Sequence, residues 1–352
     1  MSGSNFTGIR LRIVEPMMFR GPGEFDPSSR GLQSSAKSLL LPSPSTISGL
    51  LATIILHERP VSLKDAQTDD WVKEYLNILG GDFSLRGVFL FANGKEYLED
   101  RINNKLITLE NAKRKCEAIY NVLKYKNNVA ERFEKVKEEI GKMKGIGTFN
   151  ERVGIGLETR TALGKKAKEG YIYVANFVDY SSPENKIVKV DIHVDVSGEI
   201  FKTLILKGDI RLGGEGRIAK IYQTDVTMLD ILIDKLWNKT SEYSGNIAIY
   251  VTSPMLFKTS KSLEELKKQI TKQIQENCNE VINLKTYGQT EPLGTGYSLH
   301  RGLRKPIYTA IKPGSIIFAE LNKCNLKELY SKGLGEVGRE IGYGSVIPIP
   351  LE

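Results

Sequence analysis

Ile9, Leu11 and Ile13 alternate with Arg10 and Arg12, the two-residue period of a β-strand that turns one face inward and one basic face outward. The chain therefore opens on a strand. Residues 16–44 then form a Gly/Pro/Ser-rich stretch carrying Phe19, Arg20, Arg30 and Lys37, too long for a plain connector and so a candidate functional segment. Ser43, Pro44 and Ser45 give a helix start, with a capping hydroxyl and a proline in the first turn. Ile47, Leu50, Leu51, Ile54 and Ile55 follow at helical spacing up to the stop at Pro60. Leu85, Val88, Leu90 and Phe91 predict another strand, and residues 109–143 a charged, solvated helical element.

Glycines between 145 and 156 end that element. Apolar runs at 152–158 and 171–178 bracket the segment Arg160-Thr161-Ala162-Leu163-Gly164-Lys165-Lys166, which predicts a long hairpin with a positive tip. Alternation returns at 187–196. Beyond the turn 211–217, strands are expected up to Tyr222, at 247–251 and at 281–284, with helices around 229–237 and 262–276. A short helix at 326–330 and a closing strand at 345–350 complete the pattern. Strands and helices interleave in two halves without the regular rhythm of a doubly wound sheet. The expected class is α+β, two small antiparallel sheets each backed by helices.

Composition narrows the partners. At 352 residues the chain exceeds the usual single core, and 40% hydrophobic content with 33 glycines and 13 prolines describes a globular protein rich in turns. A net charge of +8 favours an anionic partner. Cys116, Cys278 and Cys324 show neither CxxC spacing nor a disulfide framework, so a reduced, cytoplasmic setting is expected. His57, His193 and His300 have no metal-ligand spacing, and neither a metal site nor another cofactor is expected. No signal-peptide core and no run of about eighteen apolar residues occurs, which leaves a membrane span unsupported.

The candidate chemistry lies in glycine- and arginine-rich turns. In Arg211-Leu212-Gly213-Gly214-Glu215-Gly216-Arg217 the glycines permit positive φ and two guanidiniums flank them, a turn able to seat phosphate, with Glu215 available to pair internally or to accept a base amino group. Phe19 beside Arg20 suits stacking and phosphate contact, and Ser43, Ser45 and Thr46 present hydroxyls at a helix start. Arg301, Arg304 and Lys305 add three cations near Tyr297 and His300. The segment from Gly333 to Gly344 carries five glycines and Arg339. Its first six residues fit G-x-G-x-x-G, but a dinucleotide fingerprint needs a strand before it and a long helix after it, and here the chain ends first. What remains is a turn whose bare amides approach a phosphate or a neighbouring chain. Gly164-Lys165 lacks the flanking pattern of a P-loop. His57 reads as a helix-end residue, and His193, between Asp191 and Asp195, as a sheet-surface or pairing residue.

Taken in order, MFRGPGEF, LPSPSTISGLL, RVGIGLETRTALGKKAKEGYIY, RLGGEGR, LRKPIYTAIKPGSIIFAE and GYGSVIPIP resemble the third-subunit family of the Cmr complex, RAMP-superfamily components of type III-B CRISPR effectors. The resemblance runs from about residue 17 to 350, with 98–144 its least diagnostic part. It implies tandem ferredoxin-like (RRM-like) domains. The first would span 1–210, with a helical insertion at about 98–145 and a thumb hairpin at about 148–178. The second, 211–352, would carry a late glycine-rich loop. It also implies a non-catalytic role: binding the repeat-derived 5′ handle of crRNA beside target RNA, against the large polymerase-like subunit and the backbone subunits. On that resemblance Arg20, Ser43 to Thr46, Gly213 to Arg217, and Gly333, Gly335, Arg339, Gly342 and Gly344 contact the handle, while Arg152, Arg160, Thr161, Lys165 and Lys166 belong to the thumb. The competing expectation is a metal-independent RAMP endoribonuclease with His57 or His300 as base.

Overall fold

The computed structural model describes residues 6–21, 35–36, 38–59, 70–124, 129–158, 166–180, 189–258, 262–298 and 302–351. Strand β1 (Thr7–Ile13) is followed by a two-residue β2 (Ser35–Ala36), helices α1 (Pro44–Glu58) and α2 (Trp71–Leu79), and strands β3 (Ser84–Ala92), β4 (Lys95–Asp100) and β5 (Lys105–Thr108). Helices α3 (Leu109–Lys124) and α4 (Val129–Lys142) precede the hairpin β6 (Thr148–Glu158) and β7 (Lys166–Asp179), then β8 (Val190–Ser197), α5 (Glu199–Thr203), β9 (Lys207–Arg211) and β10 (Ile218–Thr224). The rest runs through α6 (Met228–Lys235), β11 (Glu242–Val251), β12 (Met255–Phe257), α7 (Leu263–Gln275), β13 (Cys278–Tyr287), β14 (Thr290–Gly294) and β15 (Tyr297–Ser298). It closes with β16 (Leu303–Arg304), β17 (Ile307–Ile311), β18 (Ile316–Asn325), α8 (Leu326–Lys332) and β19 (Val346–Pro350).

Two antiparallel sheets organise the molecule. The first has seven strands in the order β5-β4-β3-β8-β1-β10-β9, and the second four in the order β13-β18-β11-β19. The alternation in β1 works as the sequence predicts: Ile9 and Leu11 are buried with Ile47, Leu51 and Ile55 of α1 in one core, leaving Arg10 and Arg12 on the opposite face. β3 differs, because both its faces are covered. Leu85 and Leu90 enter the core beneath α1, whereas Phe89 and Phe91 join the core of the second sheet with Tyr250 and Phe318. Burial on both faces accounts for its nearly unbroken apolar run.

The expected helical insertion is shorter and double. Residues 95–100 and 105–108 extend the first sheet as β4 and β5, and the helices begin only at Leu109. Their exposed sides carry same-helix pairs such as Lys113–Glu117, Lys135–Glu131 and Lys142–Glu138, consistent with a solvated face. Lys115 departs from that reading. It is fully buried, and its Nζ donates to Asp100 Oδ2 at 2.9 Å and to the Gly314 carbonyl at 3.0 Å.

One further expectation is corrected. Cys278 and Cys324 face each other in the β13–β18 register and form a disulfide, a pairing across a sheet that sequence spacing alone does not display; Cys116 is free and buried. Of the two roles expected for His193, sheet surface or pairing, the structure shows pairing, with the ring fully buried. Its Nε2 lies 2.8 Å from Asp195 Oδ1, and Asp195 also accepts from the backbone N–H groups of Met228 and Leu229 at the start of α6 and from the Tyr330 hydroxyl. Among the described residues no helix is long and apolar enough to cross a membrane.

Candidate nucleic-acid interface

The leader after β1, the base of the β6–β7 hairpin and the Gly213-to-Arg217 turn converge on one patch. Met17 exchanges backbone hydrogen bonds with Val178 of β7 at 3.0 and 2.7 Å, which lays the leader beside the hairpin. Gly214 then donates its N–H to the Met18 carbonyl at 2.8 Å, docking the turn onto the leader. At Gly213, φ is +77°, and a Cβ there would collide with the Met18 carbonyl, so glycine is required both for conformation and for space. Beneath the contact, Met18, Ala175 and Phe177 form a small buried cluster.

Electrostatics fix the same junction. The Arg217 guanidinium is ion-paired with Glu15 and lies 4.5 Å from the Phe177 ring centroid, and Arg152 approaches that ring at 5.1 Å. Glu15 also accepts the Ile218 N–H at 2.9 Å. That backbone donor first, and Arg217 second, hold its carboxyl below the usual carboxylate range. Arg20, Arg152, Arg211, Glu215 and Gly216 are exposed around the patch, and Phe19 is buried under it with its N–H bonded to Ser38 Oγ at 2.9 Å. Sequence reasoning missed Glu15 and Phe177, since neither belongs to a glycine or arginine motif.

The expected hydroxyl cradle at α1 is engaged in capping and packing. Ser43 is the N-cap, accepting the Thr46 N–H at 3.3 Å, and its Oγ lies 3.0 Å from Ser45 Oγ and 2.9 Å from Thr46 Oγ1. The late loop covers it: Tyr343 donates its hydroxyl to Ser45 Oγ at 3.1 Å, and Ser48 Oγ donates to the Ile341 carbonyl at 3.1 Å.

The bare-amide expectation for the late loop is likewise corrected. The amides of Gly333, Gly335, Gly342 and Gly344 bond to Leu329 O, Gln273 Oε1, Arg339 O and Pro254 O at 3.1, 2.9, 3.1 and 2.9 Å, and all four glycines are buried. These glycines let the loop cross itself, because a Cβ on Gly344 would overlap the Leu334 carbonyl. Arg86, which the sequence did not flag, threads into this loop and donates to the Tyr330 and Arg339 carbonyls at 3.0 and 2.7 Å. Burial pushes its guanidinium down to about 10. Arg339 itself is half-buried.

Of the late cations, Arg304 is exposed, whereas Lys305 is held over Trp71 and Tyr75 at 4.9 Å from each ring and donates to the Tyr75 hydroxyl at 3.0 Å. Arg30, Lys37, Arg160, Thr161, Lys165, Arg301 and His300 lie outside the described residues, and Lys166 is described only as the first backbone position of β7. His57 is exposed in the last turn of α1. Among the described residues no cluster of three or more His, Cys, Asp or Glu side chains could hold a metal ion.

The family model for CRISPR-associated Cmr3 proteins matches residues 115–351. The chain belongs to the Cmr3 family. A curated relative, the CRISPR system CMR subunit Cmr3 of Saccharolobus solfataricus, is 26% identical over 348 residues, covering 96% of this chain and 95% of the relative. Among solved structures, a chain of the type III-B Cmr-beta complex bound to cognate target RNA superposes with a TM-score of 0.64 at 23% identity, covering 96% of both chains. A second, from Cmr-beta bound to cognate target RNA and AMPPnP, gives 0.62 at 23% identity, covering 88% of this chain and 86% of the other. These two likenesses establish a shared fold. The antiparallel α+β architecture is that of a Cmr3-family protein.

Proposed function

We propose that this Cmr3-family chain is the non-catalytic, handle-binding subunit of an intracellular type III-B CRISPR ribonucleoprotein. It holds the 5′ handle of crRNA next to the target RNA and bridges the large subunit to the backbone. The observation that carries the reading is the junction of three chain segments, leader, hairpin base and RLGGEGR turn, around Phe177 with Arg20, Arg152 and Arg211 on its exposed rim. Guanidiniums grouped on a turn of fixed shape neutralise successive phosphates without the ordered acid–base pair that cleavage would need. The extended hairpin beside them suits the thumb role, and Arg152 stands at its base.

Tandem ferredoxin-like units are part of this reading, supported by strand order. In chain sequence, β1, β3, β8 and β10 lie in the spatial order second-third-first-fourth, and β11, β13, β18 and β19 repeat it. Because β9 and β10 pair beside β1, we place the junction of the units between Thr224 and Glu242 rather than at 210.

The test is ultraviolet crosslinking of the assembled complex carrying a guide with its own repeat-derived 5′ segment, together with salt titrations of RNA binding. Crosslinks are expected in peptides spanning 15–21, 148–158 and 211–217. Arg20→Ala, Arg152→Ala and Arg211→Ala should each lower the magnitude of the log–log salt slope by about 0.7. Slopes unchanged in all three, with no crosslink in those peptides, would remove the handle reading.

A further inference from the structure

The face of the first sheet opposite α1 carries an open cavity of about 720 Å³, lined by β1, β8, the β3–β4 turn and α6, with Arg10, Phe91, Asn93, Lys189, Val226 and Ile231 on its walls. The volume lies in the range of small-ligand sites. Its charges are asymmetrically committed. Asp191 is ion-paired with Arg12, whose Nη2 also donates to the Tyr222 hydroxyl at 2.9 Å, and both oxygens of Glu96 accept from Lys235 Nζ at 2.8 Å. Both lining carboxylates are thus neutralised, while the side chains of Arg10 and Lys189 make no hydrogen bond or ion pair with any described residue.

Arg10 is nonetheless held in place. Its guanidinium lies 4.8 Å from the Phe91 ring centroid, and Phe91 rests 4.8 Å from the His193 ring. Arg10 Nε is buried without a partner. His193 Nδ1 and Ser84 Oγ of the same sheet are also buried without a partner, but of the three only Arg10 lines the cavity, where a bound group could complete its bonding. A planar cation supported by an aromatic ring on one side offers its other side for stacking, and guanidinium planes are platforms on which bases stack. Lys189 supplies a compact positive charge for a phosphate, with Val226 and Ile231 giving apolar contact.

We propose that this cavity binds one nucleotide unit, its base stacked on Arg10 and its phosphate held by Lys189. The site is separate from the handle patch and stands or falls without it. The shared chemistry admits two sources, a free mononucleotide or one residue of a single-stranded RNA.

Equilibrium dialysis of the full-length protein with labelled AMP, adenosine and an eight-nucleotide adenine RNA separates them. Binding of AMP, with adenosine at least tenfold weaker, assigns the free nucleotide; binding of the RNA alone assigns the strand. In either case Arg10→Gln and Lys189→Glu should each weaken binding about tenfold, while Arg152→Ala and Arg217→Ala leave AMP binding unchanged. For the RNA arm, where the handle patch also contributes, a base crosslink to the β1 peptide must be lost in Arg10→Gln. Lys189 is exposed, so its substitution leaves folding intact and keeps the test decisive if Arg10→Gln proves unstable. No binding of either ligand at millimolar concentration, or binding indifferent to Lys189→Glu, overturns the proposal.

Discussion

The Arg217 guanidinium lies 4.5 Å from the centroid of the Phe177 ring, linking the RLGGEGR turn to the base of the hairpin across forty residues of chain. With Glu15 on the same guanidinium, one side chain ties three segments together. Arg217→Ala should therefore loosen the leader without unfolding the sheets. Hydrogen exchange is expected to speed up about two- to fivefold at Gly214 and Ile218, the scale of a partly exposed ion pair, with β1 and β8 amides unchanged. Unaltered exchange at both would mean that the Met17–Val178 bonds alone hold the junction.

Acid should act on the same point. Glu15 has its folded-state carboxyl lowered, by the Ile218 N–H first and then by Arg217. A lowered carboxyl stabilises the folded state fully above the unfolded value of about 4.3, and that contribution fades as pH falls through the folded value. The expected result by carbon-detected titration is a Glu15 midpoint below the ordinary range, raised only part of the way in Arg217→Ala. A full return to the ordinary value would make the arginine, not the backbone, the main cause.

The cysteines give a chemical check. Alkylation of the native, unreduced protein should label none of Cys116, Cys278 and Cys324, because two are paired and the third is buried with its thiol pushed well up by desolvation. Denaturation without reductant should expose one thiol, and reduction three. Two or three reactive thiols before reduction would contradict the β13–β18 crosslink.

Local periodicity made the outer frame legible. β1, α1, the long hairpin and the closing strand follow from alternation, an N-cap hydroxyl and an apolar stripe, which act within a few residues. β18 was not, because its Ile316 to Ala319 run is buried throughout and has no period to read. The late loop shows a subtler limit. Its glycines announce positive φ and close approach, but sequence does not say whose backbone approaches, and at Gly344 it is the carbonyl of Leu334 in the same loop. Glu15, Arg86 and Phe177 were invisible for a related reason: each acquires its role only from a partner distant in the chain.

That contrast between glycines is measurable. Gly216 has φ +66° with nothing near its Cβ position, whereas Gly344 has φ +67° and a carbonyl in the way. Gly216→Ala should cost about 1–2 kcal/mol from conformation alone. Gly344→Ala adds overpacking of about 1–3 kcal/mol to a similar strain, so its midpoint in denaturant should fall clearly further. Equal losses would show that the loop relaxes around the added methyl.

Lys115 and Asp100 are both fully buried, and a third group, the Gly314 carbonyl, also accepts from the ammonium. Removing one partner leaves the other charge without solvent or counterion, which typically costs about 3–5 kcal/mol. Lys115→Met strands Asp100, and Asp100→Asn strands the ammonium, so each single variant should be strongly destabilised. Replacing both removes the desolvation problem along with the attraction, and Lys115→Met with Asp100→Asn should recover a large part of the loss. The double-mutant cycle in chemical denaturation therefore has to be strongly non-additive. Additive losses would mean that water reaches the pair and that the contact between α3 and the end of β4 rests on the surrounding apolar packing instead.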